Sequence, residues 1–189
     1  GIAGFWDYGP LGTELRNKGL IALGIALLAQ LLYLAARFRW TYGAGAVLAL
    51  LQNVAVVIGV FAWTGKPVDG IFLAAILTII GYTVNDSVVV FDRIRENMPL
   101  MKKASFRVIG NVSLWETIPR SLATTFITLL PILSLLVFGG DTLKDFAFAL
   151  AIGVLSGTYS SIFIATPVLM HWKEAEPVWR KRRARVALA

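Results

Sequence analysis

Cysteine is absent from the sequence, which excludes disulfide bonds, thiol chemistry and cysteine-ligated metal sites. Histidine occurs once, at His171, without a nearby cluster of carboxylates or further histidines, so we expect no metal site. Charged residues are also scarce, at 15% of the 189 residues against 57% hydrophobic residues. Because a soluble domain of this length has too small a core to hide so much apolar surface, the composition predicts a membrane protein.

Basic residues outnumber acidic ones, and the formal net charge is +7. A positive balance of this kind can indicate nucleic-acid binding. Here the basic residues cluster in short segments between apolar runs, which is typical of membrane proteins, so we expect no nucleic-acid partner. The basic run at 180–185 is expected to lie at the lipid surface, with docking to an acidic partner as the alternative.

Five apolar segments are long enough to cross a bilayer, since a transmembrane helix needs about 20 mostly apolar residues. They cover residues 19–38, 44–63, 70–91, 119–138 and 146–172. The sequence therefore predicts an all-α, multi-pass membrane helical bundle with five transmembrane helices. It divides into an external N-terminal segment (1–18), a transmembrane domain (19–172) and a basic cytoplasmic tail (173–189). Pro167 is expected to bend the last helix because an interior proline removes a backbone hydrogen bond.

The distribution of lysine and arginine predicts how these helices are oriented. Of the 18 basic residues, 13 fall on the side of the tail and of the segment 92–118, which we interpret as a loop. Because basic loops tend to stay in the cytoplasm, this asymmetry places the C-terminus inside and the N-terminus outside. The turns "TGKPVD" and "GGDTLKD" are then external, and their glycine and proline residues indicate that they are short.

Asp86 is the most unusual residue within the apolar segments. It belongs to the run "GYTVNDSVVVFDRIREN" at 81–97 and precedes Asp92 by six residues, or about 9 Å of helix rise. An isolated aspartate at the centre of a transmembrane helix costs about 2.5–3.5 kcal/mol. A partner, a water-filled cavity or protonation usually offsets that cost. We therefore interpret Asp86 as a candidate functional residue.

Arg120 is the natural partner of Asp86, because a hairpin-like pair of helices would bring the two residues to a comparable depth. Arginine keeps its proton, so the pair could close when Asp86 is charged and open when it is neutral. Such a two-state element would respond to pH and membrane voltage. A static ion pair that holds two helices together is the alternative. Further polar residues are expected to support either role: Thr83, Asn85, Ser87 and Thr124.

The run at 81–97 closely resembles the SecF-type signature of the SecD/SecF family, which serves the bacterial Sec protein-export machinery within the resistance-nodulation-division superfamily. Two other stretches are similar to the same family: "FGGDTLKDFAFALAIGVLSGTYSSIFIATPVL" at 138–169 and "ELRNKGLIALGIALLAQLLYLAARFRW" at 14–40. The resemblance covers residues 9–172. In the family, the aspartate of the GYxxND motif and an arginine of the following helix belong to the proton pathway, and they match Asp86 and Arg120.

The resemblance implies a multi-pass protein of the bacterial inner membrane that acts with SecD and uses the proton gradient to promote preprotein translocation. It implies no enzymatic activity and no cofactor, with protons as the coupling ion. The implied partners are SecD, the SecYEG translocon, YajC, YidC, preprotein substrates and membrane lipids.

A complete SecF-type member has six spans and an external domain after the first, so the chain is expected to lack that first span and domain. Two alternative functions stay open. One is proton-coupled transport of lipids or small molecules by a relative in the same superfamily, and the other is a structural role in assembly. An enzyme is not expected, because the sequence shows no Ser/His pair, no HExxH motif and no facing pair of carboxylates.

Overall fold

The structure is a computed structural model that describes residues 9–37, 40–66 and 68–179. Within those residues it contains helices and connecting turns, and no strand. The helices in chain order are α1 (Gly9–Arg37), α2 (Trp40–Thr64), α3 (Gly70–Leu100), α4 (Phe106–Phe138), α5 (Asp141–Ser160), a π-helical turn (Ser161–Ala165) and α6 (Thr166–Ala175). The predicted all-α class is confirmed.

Four of the predicted spans lie in helices long and apolar enough to cross a membrane. These helical stretches are Tyr42–Thr64, Gly70–Leu100, Phe106–Phe138 and Asp141–Ala175. The first predicted span lies mostly in α1, where the described apolar stretch, Asn17–Gln30, is shorter than the other four. The count of five crossings and their orientation therefore stay predictions. Residues 1–8, Phe38 and the tail from Arg180 onward lie outside the described residues.

The segment 92–118 differs from the loop that its polarity suggested. Helix α3 continues to Leu100 and α4 begins at Phe106, so only residues 101–105 connect them. Apolar periodicity identifies the part of a helix that lies in lipid. A polar helical turn at the end of such a helix is stabilised by tertiary contacts, which the sequence pattern does not reveal. In this protein those contacts join the ends of α3 and α4, as described below.

The two predicted external turns lie at the same end of the bundle. The first follows α2, where Gly65 has a φ of +66° that other residues rarely adopt, and Asp69 Oδ1 then caps α3 by accepting from the Phe72 amide at 2.9 Å. The second turn, Gly139 and Gly140, precedes α5. An ion pair between Lys66 and Asp145 of α5 connects the two regions.

Helix α5 is the centre of the bundle and packs against α2, α3 and α4. Its glycines allow this close approach. A side chain at Gly153 would collide with Ile79 of α3, and a Cβ at Gly157 would lie 2.7 Å from Thr83 Oγ1 and 3.0 Å from Asn53 Nδ2. Small residues of this kind let transmembrane helices come close enough for polar side chains to meet between them.

Helix α4 has a large exposed apolar face, in contrast to α5. Only 17% of its most apolar window is buried, against 56% for the segment that contains α5 and α6. The exposed side chains include Leu122, Phe126, Ile127 and Leu130. In a membrane protein such a face is covered by lipid or by another polypeptide, because exposure of this much apolar surface to water is unfavourable.

The last long helical segment changes its geometry one turn before Pro167. Residues Ser161–Ala165 form a π-helical turn, and Pro167 stands in the first turn of α6. Proline cannot donate a backbone hydrogen bond, and the Thr166 hydroxyl donates to the carbonyl of Ser161 at 3.0 Å. The structure thus shows a change of helix type just before Pro167, a feature that often accompanies functional sites, and the bend expected at Pro167 stays a prediction.

Candidate functional site

Asp86 lies on the buried side of α3, with 6% of its surface exposed. Thr83 and Ser87 lie on the same side and are fully buried, whereas Asn85 is on the exposed side. Helix α3 packs against α4 and α5. The structure therefore brings three of the predicted polar residues together inside the bundle and leaves Asn85 outside it.

Polar side chains from α2, α4, α5 and the π-helical turn meet those of α3. We refer to this set as the core polar cluster: Asn53, Thr83, Asp86, Ser87, Ser121, Thr125, Thr158 and Ser161. All eight residues are buried. Seven of them are neutral, so Asp86 is the single titratable member of the cluster.

One half of the cluster connects α2, α3 and the segment from α5 to the π-helical turn. Asn53 Nδ2 donates to Thr83 Oγ1 at 2.6 Å and to the carbonyl of Gly153 at 3.2 Å. The hydroxyls of Ser87 and Ser161 are hydrogen-bonded at 3.0 Å, and Ser161 also donates to the Thr83 carbonyl at 3.4 Å. These bonds tie the π-helical turn directly to the helix that carries Asp86.

The other half connects α4 with α3 and α5. The hydroxyls of Thr125 and Thr158 are 2.7 Å apart, and Tyr82 Oη lies 3.3 Å from Thr125 Oγ1. Thr125 also donates to the Ser121 carbonyl of its own helix at 2.8 Å. Hydroxyl groups can act as donor or acceptor, so this part of the cluster can change its hydrogen-bond direction without moving a helix.

The Asp86 carboxyl has spare hydrogen-bonding capacity. The Ser121 hydroxyl of α4 lies beside it. However, neither Asp86 Oδ2 nor Ser121 Oγ has a hydrogen-bond partner with regular geometry among the described residues, and the same holds for Asn53 Oδ1. Unpartnered polar atoms are unfavourable inside a bundle. The site can therefore accept a proton or a water molecule without breaking an existing bond.

Arg120 lies on the exposed side of α4, and no described ion pair joins it to Asp86. Its neighbour Ser121 interacts with Asp86, so Arg120 is at the same level of the bundle. Thr124, also exposed, donates to the Arg120 carbonyl at 2.8 Å. The coupling of Asp86 and Arg120 stays a prediction, and the structure places Arg120 and Thr124 on the open face of α4.

A second polar cluster lies where α3 ends and α4 begins, and sequence reasoning missed it. We call it the junction cluster: Arg93, Glu96, Asn97, Ser113 and Glu116. Arg93 Nε and Asn97 Nδ2 both donate to Glu116 Oε2, at 2.6 and 2.8 Å. Asn97 also donates to Ser113 Oγ at 2.9 Å, and Arg93 Nη1 donates to Glu96 at 2.9 Å. The i, i+3 spacing of the oppositely charged Arg93 and Glu96, which pair within α3, was the available signal that the helix continues.

Sequence reasoning also missed Asn53, Ser121, Thr158 and Ser161 as members of the core polar cluster. Asn53 interrupts an apolar run, which is the same signal that identified Asp86. The hydroxyl residues carry no such signal, because serine and threonine bond to their own helix backbone and are tolerated within apolar helices. Their grouping depends on which helix faces meet.

The chemistry available here is that of one buried carboxyl among hydroxyl and amide groups. Among the described residues, no three histidine or acidic side chains converge as they would to hold a metal ion. A single carboxyl in such surroundings can bind and release a proton, and the hydroxyls next to it can pass a proton on.

Comparison with known proteins gives a consistent result. Residues 9–175 match the family described as "Protein export membrane protein SecD/SecF, C-terminal". The chain is 43% identical over 182 residues to the protein translocase subunit SecF of Thermobaculum terrenum, covering 91% of this chain and 57% of that protein. It is 44% identical over 163 residues to SecF of Pseudomonas aeruginosa, covering 86% and 53% respectively.

A solved structure has the same fold. The crystal structure of SecDF from Thermus thermophilus, described as a translocon-associated membrane protein, matches with a TM-score of 0.84 and 43% identity. The match covers 88% of this chain and 23% of that one. The chain spans about half the length of the SecF relatives that it matches.

Proposed function

The chain belongs to the SecD/SecF family of protein export membrane proteins, and from this membership we propose that it acts as a SecF-type subunit of the Sec export machinery. In this role it works with SecD in the inner membrane and uses the proton gradient to promote preprotein translocation. The SecYEG translocon, YajC and YidC are further partners of the complex. The proton is the coupling ion, and the chain itself catalyses no chemical reaction.

The observation that carries this proposal is the burial of Asp86 within the core polar cluster. Its carboxyl lies beside the Ser121 hydroxyl of α4, and neither Asp86 Oδ2 nor Ser121 Oγ has a hydrogen-bond partner among the described residues. A charged carboxylate in that position is unfavourable and a protonated one is tolerated. Gain and loss of the proton therefore favour different packing of α3 against α4, which supports a role for Asp86 as the proton carrier.

The position of Arg120 supports a partnership with SecD. Arg120 lies on the exposed side of α4, next to the apolar face formed by Leu122, Phe126, Ile127 and Leu130. An arginine that faced only lipid would be unfavourable unless it found a carboxylate or water. We propose that SecD covers this face and supplies an intramembrane aspartate close to Arg120. Arg120 would then lie between two carboxyl groups and could pair with either.

The test is preprotein export by the complete complex in inverted membrane vesicles, measured with and without a proton gradient. In the Asp86→Asn variant, the side chain keeps its size and polarity but cannot titrate. We expect the variant to assemble with SecD and to lose the part of export that depends on the gradient. Translocation driven by the ATP-dependent motor alone should continue at the wild-type rate.

Asp141→Asn is the matched control, since Asp141 is fully exposed in the first turn of α5 and remote from the core polar cluster. This variant should respond to the gradient as the wild type does. An Asp86→Asn complex that also responds like the wild type would assign Asp86 a structural role and place the proton pathway elsewhere. Failure of that variant to assemble would leave α3 packing as the main role of Asp86.

A further inference from the structure

A cavity of about 550 Å³ opens on the surface of the bundle, close to the junction of α3 and α4 and outside the core polar cluster. Its lining comes from the second residue of α4 and from one face of α6: Arg107, Pro167, Val168, His171, Trp172 and Ala175. Ligand-binding cavities in proteins commonly have volumes of about 300–1,000 Å³. The cavity is thus large enough for part of a lipid or a small molecule.

The polarity of the cavity wall changes along α6. Pro167 and Val168 give it an apolar beginning, and Trp172 and His171 lie one turn further on, where α6 approaches its end at Ala175. Eight residues separate Pro167 from Ala175, which is about 12 Å of helix. Tryptophan favours the headgroup level of a bilayer. On this criterion the Trp172 end of the cavity corresponds to the headgroup level and the Pro167 end to the apolar depth of the membrane.

Positive charge is concentrated at the surface end of the cavity. The Arg107 side chain is exposed and has no ion pair or hydrogen bond among the described residues. It stands in the first turn of α4, whose N-cap residue Ser105 makes no side-chain capping bond. The helix N-terminus adds a partial positive charge to that of the guanidinium. Both features favour an anion at this end.

The neighbouring acidic residues do not cancel the positive charge of Arg107. Glu176 is bound to Lys173 at 2.7 Å, and neither Glu174 nor Glu176 lines the cavity. The ring of Trp179 packs on Phe106, next to Arg107, with 5.0 Å between the ring centroids. In the sequence, five of the six residues after Trp179 are basic. The sequence from Arg180 onward contains no acidic residue.

We propose that this cavity binds one anionic phospholipid, with the phosphate at Arg107 and the upper part of an acyl chain along Pro167, Val168 and Trp172. A soluble anion would gain nothing from the apolar wall, and a zwitterionic lipid would gain little from the unpaired guanidinium. The side of the membrane concerned is the one predicted to be cytoplasmic, and anionic lipids there attract basic residues. The inference is independent of the proton-coupling role of Asp86.

The experiment is native mass spectrometry of the complete protein in detergent, titrated with palmitoyl-oleoyl phosphatidylglycerol or the matching phosphatidylcholine. The wild type should bind the first phosphatidylglycerol molecule more tightly than any further one. With phosphatidylcholine, the first and the later molecules should bind with similar affinity. Arg107→Gln should weaken that first binding step about five-fold, as expected for one basic side chain at a lipid surface. Arg107→Lys should keep most of the affinity because it retains the charge.

Arg95→Gln is the matched control. Arg95 is an exposed arginine near the same end of the bundle, and it does not line the cavity. Equal weakening in the Arg95→Gln and Arg107→Gln variants would reveal diffuse surface attraction and overturn the proposal, as would unchanged binding by Arg107→Gln. Displacement of the lipid by an equal concentration of soluble glycerol phosphate would also overturn it, since the acyl chain would then contribute nothing.

Discussion

The core polar cluster and the junction cluster both join α3 to α4, but they do so with different chemistry. Around Asp86 the bundle uses neutral hydroxyl and amide groups, all buried, and leaves several polar atoms without partners. At the junction it uses the charged groups of Arg93 and Glu116, which are 41% and 39% exposed and paired at 2.6 Å. Among the described residues, the first cluster is buried and incompletely satisfied, and the second is partly exposed and satisfied.

This difference indicates that the two clusters have different roles along the same pair of helices. Charges that are paired at the edge can hold the helix ends in register without a desolvation penalty, because water still reaches them. A lone carboxyl in the interior has no such compensation and makes the packing depend on its protonation. We infer that the junction cluster sets the register of the helix ends with little gain in stability, whereas the packing around the core polar cluster depends on the protonation of Asp86.

Packing rather than hydrogen bonding should contribute most to stability in the core, and Gly157→Val tests this most severely. A side chain at Gly157 would push on Thr83 Oγ1 and Asn53 Nδ2 and would separate α5 from α2 and α3. Overpacking of this kind costs about 1–3 kcal/mol. We expect a loss of that size in the free energy of unfolding, measured by denaturant titration in detergent micelles.

Gly59→Val provides the control, because Gly59 is also within a transmembrane helix but has nothing within 4 Å of its added Cβ. The two substitutions are chemically identical, so their difference isolates the effect of contact with the core polar cluster. Equal losses in the two variants would mean that backbone effects dominate. In that case the close approach of α5 would have no special role in stability.

The bond between Asn53 and Thr83 should have a smaller effect, despite its length of 2.6 Å. A double-mutant cycle with Asn53→Leu and Thr83→Val separates this contact from the other bonds of each residue. Polar contacts between transmembrane helices average about 0.6 kcal/mol and reach at most about 1.7 kcal/mol in such cycles. We expect a coupling energy in that range. A clearly larger value would make hydrogen bonding, and not packing, the main stabilising feature of the core.

Of the two clusters, only the core polar cluster could be partly predicted from the sequence, through Asp86. Asp86 was identifiable because a carboxylate within an apolar run is rare and costly, and its family motif pointed to the same residue. The helical class and four of the spans also followed from composition and periodicity. These features depend on local sequence alone, which is why no tertiary information was needed.

The junction cluster and most of the core polar cluster could not be obtained in this way. The polar residues at 92–100 and 106–118 belong to helices, and they were interpreted as a loop because they lack apolar periodicity. Likewise, Ser121 and Ser161 become site residues only through the contacts of α3 with α4 and the π-helical turn. Which faces meet is decided by close packing at glycines such as Gly153 and Gly157, and a single sequence does not specify that pairing.

The smallest effect should come from the junction cluster, where Glu116→Gln removes the charge that binds Arg93 and Asn97 across the two helices. Exposed ion pairs contribute little and are screened by salt. We expect a slight drop in the unfolding midpoint at low salt that disappears at about 1 M salt, where the screening length is about 3 Å.

Glu96→Gln removes the other partner of Arg93, but that contact lies within α3 and Glu96 is 65% exposed. It should therefore shift the midpoint less than Glu116→Gln does. A salt-independent loss in Glu116→Gln would mean that the hydrogen bonds of Asn97 matter more than the charge of Arg93. The junction would then resemble the core, and the contrast between an exposed, charge-paired edge and a buried interior with one lone carboxyl would fail.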